Sequence, residues 1–498
     1  MHIRSPHRRR AWSASVIALA MAGCATGAPT YVKPEPQAPG DWTTWRSGDP
    51  TLQPQLGSSD TLPDDWWAVF SDPVLDALQQ QAVQASPDLE TAALHFAQAR
   101  VQRLTVSAQR GPQAGVGASA TEQRQSEFGA GLRVVEAIGA DRDRIAPLIA
   151  EPFGLYQAGF DASWELDLWG RIRSSIDQAD AVVARQGALL DLARVSLASE
   201  VARSFFDVRT TQGQIRVLRE TIAAMADRLS IIEVQAEGGL VDGLFLERQR
   251  ADLAALRAQL APLLAREAAS RNEIALLLGE LPGSLTARLA PRGDETRVAL
   301  PDLTLGLPSE VASRRPDIAA AEARLRGATA GIGIARAALY PSIRLGARFG
   351  SESYQGTEFL SWGSRTWSIG PSLDLPLFDR GRRRRVVQLR ELEHQEAAVA
   401  YQRTVLAAWK EIDDAITSYA AEQQQLREFA IRQESAQRSY ELAQARYEGG
   451  AVDFVAVLDS QRQLLQARFD TVASEGRLRA RFVAVNRALG NAPALARK

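Results

Sequence analysis

Apolar residues recur at every second position in a few short segments and at alternating steps of four and three in two long ones. Ile343-Arg344-Leu345-Gly346-Ala347-Arg348-Phe349 alternates strictly, as do Phe160–Leu168 and Trp367–Leu377, with a weaker version in Ala114–Ala120. That period predicts four β-strands, each with one apolar and one polar or small face. From Arg382 to Glu448 there is neither Gly nor Pro, a run of roughly 65 residues that would extend about 100 Å as one α-helix. Within it Val405, Trp409, Ile412, Ile416, Tyr419, Leu426 and Ala430 follow the 4-3 spacing, and Leu218, Ile222, Met225, Leu229 and Ile232 repeat it earlier. This is the stripe of long helices packed as a coiled coil. The helices alone fit a soluble rod equally well.

The strands carry the distinction. Their polar faces hold Asp161, Glu165, Asp167, Arg344, Arg348 and Asp374, and the apolar faces fit a barrel wall touching lipid around a watery lumen. Trp164, Trp169, Trp362 and Trp367 fall where an interfacial aromatic girdle is expected. A half-buried strand pair on a soluble core alternates in the same way and is the competing reading. Four strands are too few for a closed membrane barrel, which needs about eight, so a barrel requires several copies of the chain.

The chain also repeats itself. Pro87-Asp88-Leu89 and Pro112 match Pro316-Asp317-Ile318 and Pro341 at a spacing of 229, whereas Glu237-Gly238-Gly239 and Gly279 match Glu448-Gly449-Gly450 and Gly490 at 211. The drop places an insertion in the Arg124–Tyr156 stretch of the first half. The expected order is a first repeat over 66–280, an inter-repeat segment over 281–312, a second repeat over 313–490 and a tail over 491–498. Each repeat reads helix, strand, strand, very long helix, tight turn, long helix. The turns Glu237–Gly243 and Glu448–Asp453 carry paired glycines, Gly238 with Gly239 and Gly449 with Gly450, which supply positive-φ conformations. Pro262 is expected to kink the first return helix, and its counterpart Ala473 is not.

Composition narrows the function by exclusion. Lys plus Arg number 58 against 59 Asp plus Glu, a net charge of −1 that leaves no footprint for nucleic acid. The run Arg380, Arg382–Arg385 is a local exception, read as a solvated helix start or a contact to lipid head groups. His2, His7, His95 and His394 are too scattered for a metal site, and no P-loop, dinucleotide fingerprint or zinc spacing is present, so neither cofactor nor catalysis is expected. Residues 1–23 have the basic start and short apolar core of a signal peptide. They end in Met21-Ala22-Gly23-Cys24, which resembles the lipobox of bacterial lipoproteins, with Cys24, the one cysteine, as the lipidated residue. Residues 24–65, rich in Pro, Gly, Ser and Thr, read as a lipid-anchored tether.

Four separated motifs then carry a resemblance. Trp66-Trp67 with Phe70-Ser71-Asp72-Pro73, Trp164–Arg171, Arg314-Arg315-Pro316-Asp317-Ile318, and Tyr447-Glu448-Gly449-Gly450 leading to Val457–Arg462 are similar to the outer-membrane factor family, the TolC-like channels, and within it to the OprM/NodT-type lipoprotein branch. The resemblance implies a mainly α protein with a membrane β-barrel: a homotrimer sharing twelve strands, four per chain, continued by a long α-helical coiled-coil tunnel. It implies a non-enzymatic efflux duct in the cell outer membrane, in contact with outer-membrane lipids. A periplasmic adaptor (membrane fusion protein) would deliver drugs or small amphiphiles from an inner-membrane transporter of the resistance-nodulation-division type. A duct for type I protein secretion and a lipid-anchored coiled-coil scaffold without a pore remain as alternatives. By the same resemblance Val455, Asp459 and Arg462 match the periplasmic gate, Gly238, Gly239, Gly449 and Gly450 lie at tip turns for adaptor docking, and the polar strand residues face the lumen. Without the family match, Asp459 and Arg462 read as an exposed i, i+3 ion pair worth a few tenths of a kcal/mol.

Overall fold

A computed structural model describes residues 29–34, 49–52, 65–129, 133, 137–139, 141–291, 303, 311 and 314–491. Cys24, the signal peptide, most of the tether and the tail after 491 lie outside the described residues. The main elements are α1 Pro73–Ala85, α2 Pro87–Ser107, β1 Gln113–Gln123, α3 Arg142–Ile149, β2 Phe153–Leu166, α4 Arg171–Glu237, α5 Gly243–Leu277, α6 Pro316–Ala337, β3 Ser342–Ser353, β4 Arg365–Asp374, α7 Arg382–Glu448 and α8 Phe454–Ala488. The duplication holds residue by residue: α4 and α7 each run 67 residues, and α5 and α8 each run 35. Gly170, Gly239 and Gly279 have positive φ, as do Gly381, Gly450 and Gly490 at the same spacing of 211. Pro262 lies inside α5, which continues through it.

The described residues of Ala99–Val182 and Leu325–Ala397 form one compact unit, and those of Lys33–Gln98, Val183–Arg324 and Ala398–Lys498 form the other. Each unit draws on both halves of the chain. In the first, the strands form one antiparallel sheet in the order β1-β2-β3-β4. The insertion falls between β1 and β2 and contains α3, whereas the β3–β4 connection lacks a regular α-helix. β2 starts at Phe153, seven residues before the apolar alternation becomes legible at Phe160. β4 ends at Asp374, so Leu375–Leu377, expected as strand, lie past its end.

The second unit is built on an aromatic cluster. Trp66, Trp67 and Phe70 sit on a single 3-10 turn, and the ring of Phe70 lies 4.5 Å from Phe206 and 5.5 Å from Phe482. Tyr419 and Trp66 close on Phe482 at 6.2 and 6.3 Å. Fully buried aromatics dominate the energetics of such a core, which explains the motif that opens the first repeat. Arg315, buried, donates to Asp317 at 2.8 and 3.0 Å and to Glu411 at 2.7 Å. It also bonds the carbonyl of Ala488, tying α6 to the end of α8. A buried guanidinium is tolerated because it is paired and bonded so completely. The 4-3 stripe is buried from Val405 to Tyr419, half-buried at Leu426 and exposed at Ala430. Packing within one chain therefore thins toward the tip of α7.

Candidate functional site

Strand register sorts the side chains into two faces. Asp161 lies opposite Arg348, Glu165 opposite Arg344, and Ser342 opposite Asp374, all on one face with Ser163, Ser368 and Ser372. The other face carries Val116, Phe160, Trp164, Leu345, Phe349, Trp367, Ile369 and Leu373. Those apolar side chains are exposed in the single chain, Trp367 to 73% and Ile369 to 76%. A sheet with one water-compatible face and one uncovered apolar face suits a wall between water and hydrocarbon. The polar face is also narrow-sided: Gly159 pairs with Gly350, and a Cβ on Gly159 would stand 2.7 Å from the carbonyl oxygen of Phe349. Among the described residues no helix is long and apolar enough to cross a membrane.

Asp167, expected on the polar strand face, is not a strand residue. β2 ends at Leu166, and the Asp167 carboxylate accepts the backbone N–H groups of Ile172 at 2.9 Å and Arg173 at 2.8 Å. It caps the start of α4, whose first N–H groups have no partner inside the helix. Asp379 does the same for α7, accepting from Gly381 at 3.0 Å and Arg383 at 3.1 Å. Of the tryptophans assigned to a girdle, Trp362 and Trp367 are exposed, and Trp164 donates to the carbonyl of Arg110 at 2.8 Å. Trp169 is half-buried, stacked on Tyr340 at 4.9 Å and bonded to the Pro341 carbonyl.

Val455, Asp459 and Arg462 share one face of α8, and all three are exposed. The nearest acid to Arg462 is not Asp459, at 3.8 Å, but Asp252 of α5 at 2.5 Å. Sequence spacing points to the neighbour on the same helix; a partner 210 residues away leaves no local signal. Arg228 is a second residue the sequence did not single out. It donates to Gln461 at 3.2 Å and Tyr440 at 3.3 Å, and its guanidinium lies 5.1 Å from the ring centre of Phe454. Phe454 in turn meets Phe245 at 5.3 Å and Tyr447 at 5.0 Å, so the first turns of α5 and α8 touch. Nearby, the hydrogen bonds that the Arg250 guanidinium donates to Glu233 and then to Glu247 hold its pKa above the ordinary arginine value.

At the tip turns only the second glycine of each pair is left-handed, Gly239 at φ +72° and Gly450 at φ +71°. Gly238 and Gly449 still donate to carbonyls four residues back, Val234 and Ala445. Each turn closes in the same way: Leu240 donates to Gln235 and Ala451 to Arg446, while Asp242 and Asp453 cap the following helix. This is the helix-ending arrangement in which one left-handed residue suffices. No group of three or more His, Cys, Asp or Glu able to hold a metal occurs among the described residues.

A family model described as outer membrane efflux protein matches residues 78–280 and again 307–491, one match to each half. The pyoverdine export outer membrane protein OpmQ of Pseudomonas putida is 31% identical over 454 residues, covering 91% of either chain. The probable outer membrane lipoprotein SilC of Salmonella typhimurium is 29% identical over 447 residues, 89% of this chain and 90% of SilC. The solved structure of the outer-membrane channel OprN matches with a TM-score of 0.82 at 30% identity, covering 94% of this chain and 99% of that one.

Proposed function

This chain belongs to the outer membrane efflux protein family, and from that premise we propose that three copies join their sheets, β4 of one to β1 of the next, into one barrel that leads into a tunnel of the long helices. The chain is an outer-membrane channel subunit of an efflux pump with the TolC-like fold. The observation that supports the trimer best is the open sheet. Its order leaves β1 and β4 as edges, and its apolar face is uncovered. In hydrocarbon each unpaired backbone group costs several kcal/mol, so the edges must meet strands from other copies. The mass of the detergent-solubilised protein should be that of a trimer, and the protein should conduct ions across planar bilayers. A stable monomer in detergent-free water would overturn the reading, as would bilayers that never conduct.

The polar face then lines the lumen, with Asp161, Glu165, Arg344, Arg348 and Asp374 toward the water. Val455, Asp459 and Arg462 form the periplasmic gate, and the turns around Gly239 and Gly450 dock a periplasmic adaptor. An inner-membrane transporter of the resistance-nodulation-division type supplies the energy, and small amphiphilic molecules are the cargo; the export of pyoverdine by OpmQ supports a small-molecule duct. Cys24 carries a covalent lipid, palmitate among its chains, after removal of the signal peptide, a reading supported by the lipoprotein description of SilC. Radiolabelled palmitate should enter the wild-type chain and not Cys24→Ala; equal labelling of both would remove the anchor.

A further inference from the structure

The duplication supplies an internal control where strands give way to long helices. In the first half Arg171, at the start of α4, grips Glu165 near the end of β2 through two bonds of 2.7 and 3.1 Å. The matching residues of the second half are Asp374, at the end of β4, and Arg382, at the start of α7. These two do not meet, and neither side chain has a partner among the described residues. The cause is covalent. Aspartate is one methylene shorter than glutamate, and seven residues rather than five separate the pair.

Where the second ion pair is missing there is a pocket of about 340 Å³, lined by both orphaned charges. Its other walls combine Leu166, Ala335, Val386 and the stacked rings of Trp169 and Tyr340 with charges already engaged, Asp167 on the N–H groups of Ile172 and Arg173 and Arg383 on the Ala338 carbonyl and Asp379. Arg344 enters from β3. Among the described residues the one acid in ion-pair reach of it is Glu165 at 3.5 Å, a carboxylate that Arg171 already holds twice. The pocket therefore offers two under-used guanidinium groups beside an aromatic and aliphatic wall. Its volume falls at the low end of the about 300–1,000 Å³ of small-ligand sites, and it is more highly charged than most of them. Guanidinium is suited to a carboxylate, which it can bond through two parallel N–H groups.

We propose that this pocket binds an acidic amphiphile, its carboxylate between Arg344 and Arg382 and its apolar body against Trp169 and Tyr340. Asp374 works against such a ligand by repulsion and limits its affinity, so that binding is weak enough for release. The site is separate from the gate and lies wholly within one compact unit, so binding does not depend on the gate reading.

The test is a titration of the whole protein, in neutral detergent, with 1-naphthylacetate and with its uncharged amide. The acid should bind saturably, one molecule per chain, and the amide should not. Arg382→Gln should weaken binding about tenfold, the size of one charge-assisted contact, with Arg382→Lys retaining most of it. Asp374→Asn should tighten it, which a merely structural role for that residue would not do. Equal binding of acid and amide would overturn the proposal, as would an acid that never saturates or an Asp374→Asn variant that binds more weakly. A channel that conducts normally yet fails these titrations would remove this site and leave the duct reading standing.

Discussion

At Gly476 the helices α4 and α8 come so close that a Cβ would fall on the side chain of Thr210, whose hydroxyl is itself held by the Phe206 carbonyl at 2.7 Å. Gly213 faces the same seam, where a Cβ would stand 3.0 Å from Cγ1 of Val472. Gly476→Ala should therefore destabilise the fold by about 1–3 kcal/mol, the usual result of overpacking, even though alanine is the better helix former. A lower thermal midpoint in detergent would bear this out; an unchanged or raised one would show that the seam yields. Nothing in the sequence marks these glycines, because a glycine inside a helical run reads only as a weak spot until its packing partner is known. Arg315 and the Trp66–Phe70 motif stand on the other side of that divide. Their residue types were conspicuous in the sequence, and burial supplies the reason.

Among the elements, strands and long helices were legible because their periods of two and of 4-3 persist over many residues. Their ends were not. Asp167 continued the alternation of β2 and yet serves as a cap for α4, because a carboxylate that caps two helix N–H groups has a stronger demand on its place than a sheet position. The glycine pairs misled in a similar way, since two adjacent glycines suggest two left-handed residues. Gly450→Ala places a side chain at φ +71° and should cost about 1–2 kcal/mol. Gly449→Ala, in helical conformation with only ordinary contacts near its Cβ, should be neutral or stabilising by up to about 1 kcal/mol. Thermal midpoints of the two variants, side by side, decide the matter: equal losses would mean that the turn is not closed as described.

For the whole molecule, the need for several copies followed from counting, since a duplicated set of two strands per half cannot seal a cylinder alone, whereas the trimer and its helical tunnel came only with the family resemblance. The residues proposed as a gate were only partly legible as a set. Asp459 and Arg462 lie on one face of α8, but the closest partner of Arg462 is Asp252 on another helix. If this contact holds the tip closed, Asp252→Ala should raise single-channel conductance and antibiotic leakage as Arg462→Ala does, and the Asp459→Ala, Arg462→Ala double variant should raise both at least as far. Unchanged conductance in all three would remove these residues from the gate. An increase for Asp459→Ala but not for Asp252→Ala would make the neighbour on α8 the working partner.

The matched helices also restrict how such a molecule can change in evolution. Phe245 and Phe454 touch in the first turns after the two tips, and each tip is reached by a helix of the same 67 residues. Seven residues added to one of these helices alone would push its tip about 10 Å beyond its sibling and pull the two rings apart. A descendant that needs a longer or shorter reach must lengthen or trim both halves by the same number of turns, on the outgoing and the returning helix alike.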